Sequence, residues 1–244
     1  MINIKSRTSG TIKNKVFFFS LLLLILSITA VNGEDSFDEW FDKDARLQNY
    51  LEIKDKMKEI FKNASENNIP TILLYEKAEE GLAKKVDRSK LIDALRLEAD
   101  RLKVAHKIIL EAGESVRDNE KKSLYKGISI FLIGGLNESQ ILFFFEETGS
   151  RKKPISYFLA LGNALIASLS IVRLNDSDIL TLGASIINAN LAESAITSIS
   201  SFFIKGQLKR IDTGDLLFII IDILDNGGGI LQIERELDRR TRGR

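Results

Sequence analysis

The heptapeptide Leu136-Asn-Glu-Ser-Gln-Ile-Leu142 recurs downstream as Leu174-Asn-Asp-Ser-Asp-Ile-Leu180 and as Ile211-Asp-Thr-Gly-Asp-Leu-Leu217. The three copies begin 38 and 37 residues apart. A looser copy, Val86-Asp-Arg-Ser-Lys-Leu-Ile92, begins 50 residues upstream of the first. A period between about 20 and 50 residues is typical of stacked supersecondary units. The second half of the chain is therefore predicted to be a repeat array.

Each copy has the residue pattern of a helix N-terminus. An apolar residue is followed by Asn or Asp, then by a polar or small triplet, and then by two aliphatic residues. Asn137, Asn175 and Asp212 are predicted N-caps, because a short polar side chain there accepts backbone N–H groups that have no partner inside the helix. The residue three positions after each cap is Gln or Asp, which favours a capping box.

Each repeat has room for two helices, so the fold class is predicted to be all-α, an α-solenoid-like array of stacked helical hairpins. Asn190 with Glu193 predicts a further capping box inside the second repeat. Two looser pairs upstream bring the expected number to about five two-helix units. The predicted helices cover 45–62, 70–85, 87–113, 138–148, 154–173, 176–189, 191–210 and 213–224. A last helix follows the turn at 225–229, and its polar outer end is 234–240.

The first 33 residues have the composition of a signal peptide. Four basic residues precede an uncharged run from Val16 to Val31, and cleavage is predicted near Gly33-Glu34. The run is shorter than the about 20 residues of a membrane-spanning helix. The chain is therefore predicted to be periplasmic or secreted, with an N-terminal anchor in the inner membrane as the alternative. The sequence has no cysteine, so no disulfide stabilises it.

Charge divides the remaining chain into two predicted regions. Residues 34–125 are rich in charged side chains and are expected to form solvated helical hairpins, whereas residues 126–244 are more apolar and contain the strong repeats. The second region is expected to pack on the first as one array. Beyond residue 33 there are 31 basic and 34 acidic side chains, so the chain lacks the basic excess of nucleic-acid-binding proteins. A nucleic-acid partner is not expected.

A further pattern is Glu80-Gly-Leu-Ala-Lys84, which is followed by Val86-Asp87 and by Leu91-Ile92. Residues 69–95, which contain it, resemble a segment of uncharacterised exported bacterial proteins in which a Glu-Gly-x-Ala-Lys run, a short turn and a new amphipathic helix recur. Lys85 stands where that pattern has glycine. The resemblance implies a helical, envelope-associated bacterial protein, and it implies no activity and no site residue.

Residues suited to catalysis are sparse. His106, the only histidine, lies on the apolar stripe of its helix without converging ligands, so it is predicted to be a partly buried structural residue. Glu79-Glu80 and Glu146-Glu147 are predicted to be solvated, because adjacent helical residues point about 100° apart. Gly227-Gly-Gly229 lacks the lysine of a phosphate-binding loop and is predicted to be a turn.

No catalytic, cofactor-binding or metal-binding residue is assigned on these grounds, no cofactor is expected, and the chain is predicted not to be an enzyme. The alternative is a hydrolase whose carboxylates come from distant helices, such as Asp93, Glu147 and Asp222.

Residues 154–172 form an uncharged run of 19 residues, close to the length of a membrane span. Asn163 in its middle, and the charged Glu193 and Lys205 in the aligned helix of the next repeat, favour a buried central helix of the array instead. Membrane association through 154–172 is the other alternative, with the basic cluster Arg151-Lys-Lys153 as a candidate peripheral membrane contact.

The repeat period and the sparse catalytic chemistry together favour a binding or structural role. The leading hypothesis is an exported bacterial helical-repeat protein of the envelope that holds a protein or peptide partner on its stacked helices. The sequence leaves the identity of that partner and the oligomeric state open.

Overall fold

The computed structural model describes residues 37–113 and 116–242, with side chains as far as Arg240. The predicted signal peptide, residues 1–33, and its cleavage point lie outside the described residues. Within them the secondary structure is helical, and no strand occurs.

Residues 37–48 belong to one compact unit, and the chain from Asn49 onward belongs to another. The first contains α1, Phe37–Lys43, in which the Phe37 ring lies 5.7 Å from those of both Trp40 and Phe41. Phe41 is buried.

Ala45–Ile53 form a 3₁₀ helix, in which the buried residues Leu47, Tyr50 and Ile53 recur at every third position. The prediction of a single α-helix over 45–62 is wrong here. A spacing of three residues throughout matches the three residues per turn of the 3₁₀ form, whereas an α-helix needs spacings of three and four.

The second compact unit contains α2 to α12. Their bounds are α2 Lys54–Glu66, α3 Ile72–Ala83, α4 Arg88–Glu111, α5 Asp118–Ile133, α6 Glu138–Ser150, α7 Ile155–Ile171, α8 Asp176–Asn188, α9 Glu193–Ile196, α10 Ile199–Leu208, α11 Thr213–Asp225 and α12 Ile230–Arg242.

These helices form two layers. Layer B consists of α2, α4, α6, α8 and α11, and each of them contacts the next. Layer A consists of α3, α5, α7, the short α9 with α10, and α12. Glu76 of α3 pairs with Lys122 and Lys126 of α5. From α5 onward, each helix of layer A contacts the next one in the layer. Within the described residues this makes five hairpins, so the predicted all-α array is confirmed. The predicted division between residues 34–125 and 126–244 falls inside α5.

Most of the turns close a helix in the same way. After α3, Lys85 adopts a left-handed φ of 51°, and the N–H of Val86 then donates to the Gly81 carbonyl at 3.0 Å. Lys85 thus holds the conformation that glycine adopts most easily. The equivalent hydrogen bond is made by the N–H groups of Ile69, Leu136, Lys153, Ile211 and Gly228.

The repeat heptapeptides begin helices as predicted. Asn137 and Asn175 each form a capping box, the first with Gln140 and the second with Asp178. Asp212 caps α11 by accepting from the Gly214 N–H at 2.8 Å, and it forms no capping box with Asp215, so that part of the prediction is wrong. Each cap satisfies backbone donors that would otherwise lack partners at the helix end.

The helix predicted over 191–210 is wrong in its first part. Asn190 is not an N-cap: its φ of 53° makes it the left-handed residue that closes α8, with its N–H donating to the Ile187 carbonyl at 3.1 Å. The helix is also interrupted between α9 and α10, where the Thr197 hydroxyl donates to the Ser194 carbonyl. Such local side-chain bonds compete with a continuous helix.

Helix α7, from the uncharged run 154–172, is the central helix of layer A. It contacts α5, α6, α8, α9 and α10, and its residues Phe158, Leu161 and Leu165 are almost fully buried. Asn163 and Ser170 remain exposed. Across the described residues, no helix combines the length and the apolar character required to cross a membrane.

Glycines let neighbouring layer B helices approach closely. A Cβ built at Gly183 of α8 would overlap the ring of Phe144 on α6. Phe144 is 1% exposed, so its ring is enclosed by the packed helices. The glycine therefore forms the cavity into which the aromatic side chain of the preceding hairpin fits.

We predict that Gly183→Ala destabilises the protein by about 1–3 kcal/mol, because the added methyl group overpacks the α6–α8 interface. Urea unfolding monitored by circular dichroism measures the change in the free energy of unfolding. Gly229→Ala is the control, since nothing lies within 4 Å of a Cβ at Gly229. If Gly183→Ala instead stabilised the protein, as helix propensity alone predicts, the close approach of α6 and α8 would be refuted.

The last helix is tied to α10 by ion pairs. Asp238 of α12 accepts from Lys209 at 2.6 Å and lies 3.0 Å from Lys205, which also reaches Glu234 at 3.2 Å. Hydrogen bonds from Lys209 and then Lys205 lower the pKa of Asp238 to about 2. Because the folded state depresses this pKa, the stabilisation is present above the unfolded value of 3.8 and is lost as the pH falls toward 2.

We predict that Asp238→Asn lowers the melting temperature at pH 7 and that the difference from the unchanged protein shrinks between about pH 5 and about pH 2. Asp93→Asn, an identical change at an exposed position on α4, should shift the melting temperature less. Thermal unfolding across this pH range measures both differences. If the difference in melting temperature between Asp238→Asn and the unchanged protein stayed constant down to pH 2, the stabilising role of the ionised Asp238 would be contradicted.

Candidate binding surface

His106 is half-buried between α4 and α5. Its Nδ1 lies 2.6 Å from the Tyr125 hydroxyl, and burial raises the pKa of that phenol. One turn further along α5, the buried Ser129 hydroxyl donates to Glu98, which also pairs with Arg101 at 3.1 Å. These contacts satisfy the polar groups of the α4–α5 interface, and they account for His106 as a packing residue.

The two carboxylate pairs are solvated helix-surface groups. Glu80 is bound by Lys77 of its own helix and by Lys84 directly after it, and their side-chain hydrogen bonds lower its pKa to about 2. A carboxyl with that pKa is ionised at neutral pH and is a poor general acid. Glu147 lies 3.8 Å from Arg151, and Glu146 is exposed.

The structure does not bring the distant acids into one cleft. Asp93 is on α4, Glu147 on α6 and Asp222 on α11, with α8 packed between α6 and α11. Asp222 lines a groove of about 510 Å³ between α11 and α12, and neither of the other two acids lines it. In the part of the chain that the structure describes, no three His, Asp or Glu side chains are placed to hold a metal ion.

The glycine run joins two helices, as predicted. Gly227 has a left-handed φ of 74°, and the Gly228 N–H donates to the Ile223 carbonyl at 2.7 Å. The Gly229 N–H donates to Gln232 at 2.9 Å. These backbone donors therefore close α11 and begin α12.

The basic cluster after α6 makes contacts within the array. Arg151 donates to Asn188 at 2.6 Å, and Lys153 donates to Asn190 while its ammonium lies 4.8 Å from the centre of the Tyr157 ring. The cluster thus joins the end of α6 to the end of α8.

Three consecutive layer B helices contain no lysine or arginine: α6, α8 and α11. Lys107 pairs with Glu138 at 2.5 Å from a neighbouring helix, and Arg151 follows the end of α6. Neither cation belongs to the three helices, and the arginines of α12, Arg235, Arg239 and Arg240, line the same groove as Asp222. Their eight acids are Glu138, Glu146, Glu147, Asp176, Asp178, Asp215, Asp222 and Asp225.

Two phenylalanines occupy the same outward position of the repeat on either side of α8. Phe143 on α6, Thr181 on α8 and Phe218 on α11 each follow the first residue of their heptapeptide by seven positions. Phe218 is 67% exposed, Phe143 is half-buried, and Thr181 is exposed. Acids stand one turn away on the same helices. We call this surface the B face, and it consists of Phe143, Glu146, Thr181, Asp215, Phe218 and Asp222.

No protein-family model, curated protein or solved structure matches the chain. The resemblance of residues 69–95 to exported bacterial proteins therefore stays a prediction, and so does the absence of enzymatic activity.

The outward side of layer A also exposes apolar residues. Ile133 on α5 is 60% exposed, and Leu208 on α10 is 80% exposed. Between them, α7 carries no charge. This surface has neither an exposed aromatic ring nor a charge sign that would select a partner, whereas aromatic residues are the side chains enriched at binding hot spots.

The sequence contained only part of the signal for the B face. The absence of lysine and arginine from α6, α8 and α11 can be read from the sequence once the helix bounds are known. The run Phe143-Phe-Phe145 is uniformly aromatic, so the sequence gives no indication of which ring points outward. In the structure Phe144 lies against Gly183 of the next hairpin, and Phe145 lies against Phe158 of its own. Sequence reasoning therefore assigned no role to Phe143 or Phe218.

We predict that Tyr125→Phe destabilises the protein by about 1 kcal/mol, because it removes the hydrogen bond to His106 inside a packed interface. A double-mutant cycle with His106→Asn, followed by urea unfolding, isolates the pair. The two changes together should cost less than the sum of their separate effects. Strict additivity would mean that the contact contributes nothing to stability.

Proposed function

We propose that this chain is a helical-repeat binding protein that holds a protein or peptide partner on the B face. Export, which residues 1–33 predict, would place this surface in the periplasm or outside the cell. The observation that carries the proposal is the pair Phe143 and Phe218, which stand at equivalent outward positions of alternate hairpins.

Exposure of Phe218 favours binding because the ring has little packing role within its own chain. Burying a phenylalanine side chain against a partner is favourable by roughly 1.5–3 kcal/mol. The neighbouring Ile219 is 3% exposed and Ile220 is fully buried, so α11 is firmly packed beneath the exposed ring. A ring presented on a packed helix loses little further conformational entropy when a partner covers it.

The scaffold under the B face supports a preformed surface. The capping boxes of Asn137 and Asn175 fix the starts of α6 and α8, and Gln140 donates to Asp176 across the two helices at 3.2 Å. Phe144 fills the space above Gly183. Loss of these contacts would move Phe143 relative to α8, so the repeat packing and the binding surface are linked.

The two other roles that the sequence raised have less support. The apolar side chains of residues 154–172 that would face lipid pack against neighbouring helices. The acids of a hydrolase, Asp93, Glu147 and Asp222, lie on helices separated along layer B.

The test uses the absence of cysteine from the sequence. Thr181→Cys places a single attachment point for a photo-crosslinker in the middle of the B face, and Asn163→Cys places one at an exposed position of α7 in layer A. In extracts of the cells that make the protein, we expect the labelled Thr181→Cys chain to form a discrete cross-linked adduct with a partner. The labelled Asn163→Cys chain should form none. Adding Phe218→Ala to the Thr181→Cys chain should lower the adduct yield at least about fivefold.

Three results would overturn this function: no adduct from position 181, the same adduct from both positions, or an adduct from position 163 alone. The last result would transfer binding to layer A. Circular dichroism of each variant confirms that the helices are unchanged.

A further inference from the structure

We infer that the groove between α11 and α12 binds a carboxylate of the partner: the polypeptide segment held at Phe218 carries an apolar side chain and, close to it in sequence, one carboxyl group that Arg235 binds. This inference rests on the proposed function and adds the chemistry of the partner at the α11 end of the B face.

One stripe of side chains from each helix lines the groove. The stripe on α11 contains Phe218, Ile219, Asp222, Ile223 and Asn226, and the stripe on α12 contains Gln232, Arg235, Glu236, Arg239 and Arg240. Spacings of three and four residues place each set on one side of its helix. The volume of about 510 Å³ lies within the range of about 300–1,000 Å³ that is usual for ligand sites. The groove therefore has an apolar wall on α11 and an arginine-rich wall on α12.

The charged residues of α12 are divided between two sides of the helix. Glu234 and Asp238 pair with Lys205 and Lys209 of α10. Two of the three acids of α12 are thus neutralised outside the groove. The three arginines on the groove side face only the remaining acid of α12, Glu236, and the single acid of the α11 stripe.

Both carboxylates of the groove already accept hydrogen bonds. Glu236 accepts from Nε and Nη2 of Arg239 and from Nε of Arg240, each at 2.9 Å. Asp222 accepts from the side-chain amide of Asn226 at 3.1 Å. Glu236 therefore engages two of the three guanidinium groups and leaves the third, that of Arg235, without a carboxylate.

Arg235 is exposed in the groove, and its side chain makes no ion pair or hydrogen bond within the described part of the chain. A guanidinium group presents its N–H donors in a planar fork that matches the two oxygens of a carboxylate. Phe218, which is 67% exposed, and the half-buried Ile223 line the same groove. A carboxylate bound by Arg235 would therefore lie beside an apolar surface, where a charged hydrogen bond is stronger than in open water.

The distance between the helices sets the spacing of the two groups on the partner. Packed helices lie about 8–10 Å apart, and consecutive residues of an extended chain advance about 3.3–3.6 Å. Two or three steps of an extended segment thus lead from Phe218 on α11 across to α12, and the length of the arginine side chain shortens this path. The carboxylate and the apolar side chain therefore belong to the same residue or to near neighbours.

The balance of charge in the groove favours a single carboxylate over a polyanion. Three arginines against two carboxylates leave an excess of one positive charge. A nucleic acid or an anionic lipid surface would extend over α6 and α8, where every charged side chain is acidic. A segment rich in lysine or arginine would meet the arginines of α12. A mainly apolar polypeptide segment with one carboxylate satisfies both conditions.

The test is a fluorescence-anisotropy titration of the full chain with labelled peptides of about ten residues, which in extended form span both helices of the groove. Each peptide has a glycine–serine spacer followed by Leu-Phe. One pair ends there, with either a free carboxylate or an amide. The other pair continues with either glutamate or glutamine and ends in an amide. We expect the charged member of at least one pair to bind about fivefold or more tightly than its neutral counterpart. The pair that shows the difference identifies the carboxylate as a chain terminus or as a side chain.

Variants assign this preference to the groove. Arg235→Gln should bring the two members of the pair within about twofold of each other. Phe218→Ala should weaken both members at least about threefold, because both lose the same apolar contact. The matched control is Arg173→Gln, which removes an identical charge from an exposed position after α7 and should leave the preference intact.

Equal binding within both pairs, no binding of any of the peptides, or a preference that survives Arg235→Gln would each overturn the inference, and so would a preference that Arg173→Gln removes equally. The cross-linking experiment at Thr181 separates this failure from failure of the proposed function. An adduct that depends on Phe218 but is unchanged by Arg235→Gln would leave the B face as a binding surface and would overturn the carboxylate site alone.

Discussion

A helix end leaves backbone N–H and carbonyl groups without partners, and most of this chain's turns satisfy them in nearly the same way. A residue with positive φ ends the helix, and the N–H of the next residue donates to a carbonyl of the last helical turn. The following helix then begins after a short connection, in several cases at an Asn or Asp cap. At Leu136 the apolar residue of the turn is itself 3% exposed, so the hydrogen bond and the hydrophobic contact fix the turn together. Because the turns are so alike, successive hairpins repeat nearly the same geometry, and the two layers follow from that repetition.

Equivalent hairpins can stack only where their side chains allow a close approach. Gly183 receives the ring of Phe144, and Gly162 in α7 faces the ring of Phe131 in the same manner. Large side chains on one hairpin are therefore matched by missing side chains on a neighbouring one. This pairing lets α7 contact five other helices without a single charged residue, and it explains why an uncharged run of near-membrane length belongs to the packed interior of layer A.

The outward surfaces are free of these constraints, and their chemistry differs between the layers. Layer A contains the uncharged helix α7 and exposes aliphatic side chains such as Leu208 of α10. In layer B, α6, α8 and α11 contain no lysine or arginine, and the exposed Phe218 of α11 lines a groove with Arg235, Arg239 and Arg240 of α12. An exposed ring costs solvation free energy without adding to the core, so its presence at the same outward position as Phe143 favours a role in recognition. Of the two helices that present these rings, α6 begins with a capping box and packs through Phe144 onto Gly183 of α8.

The sequence by itself determined the helical class, the hairpin count and the caps at Asn137, Asn175 and Asp212, because these depend on local hydrogen bonding and on the spacing between successive copies of the heptapeptide. It did not determine the 3₁₀ form of 45–53 or the left-handed Asn190. A three-residue spacing also fits part of an α-helical stripe, and Asn serves equally at the beginning and at the end of a helix. Only the tertiary structure decided which ring of Phe143-Phe-Phe145 points outward, and only it placed Phe143 and Phe218 on one surface. Residues 75 positions apart in the chain become neighbours of α8 through stacking, and the direction of a side chain depends on what packs against the other sides of its helix.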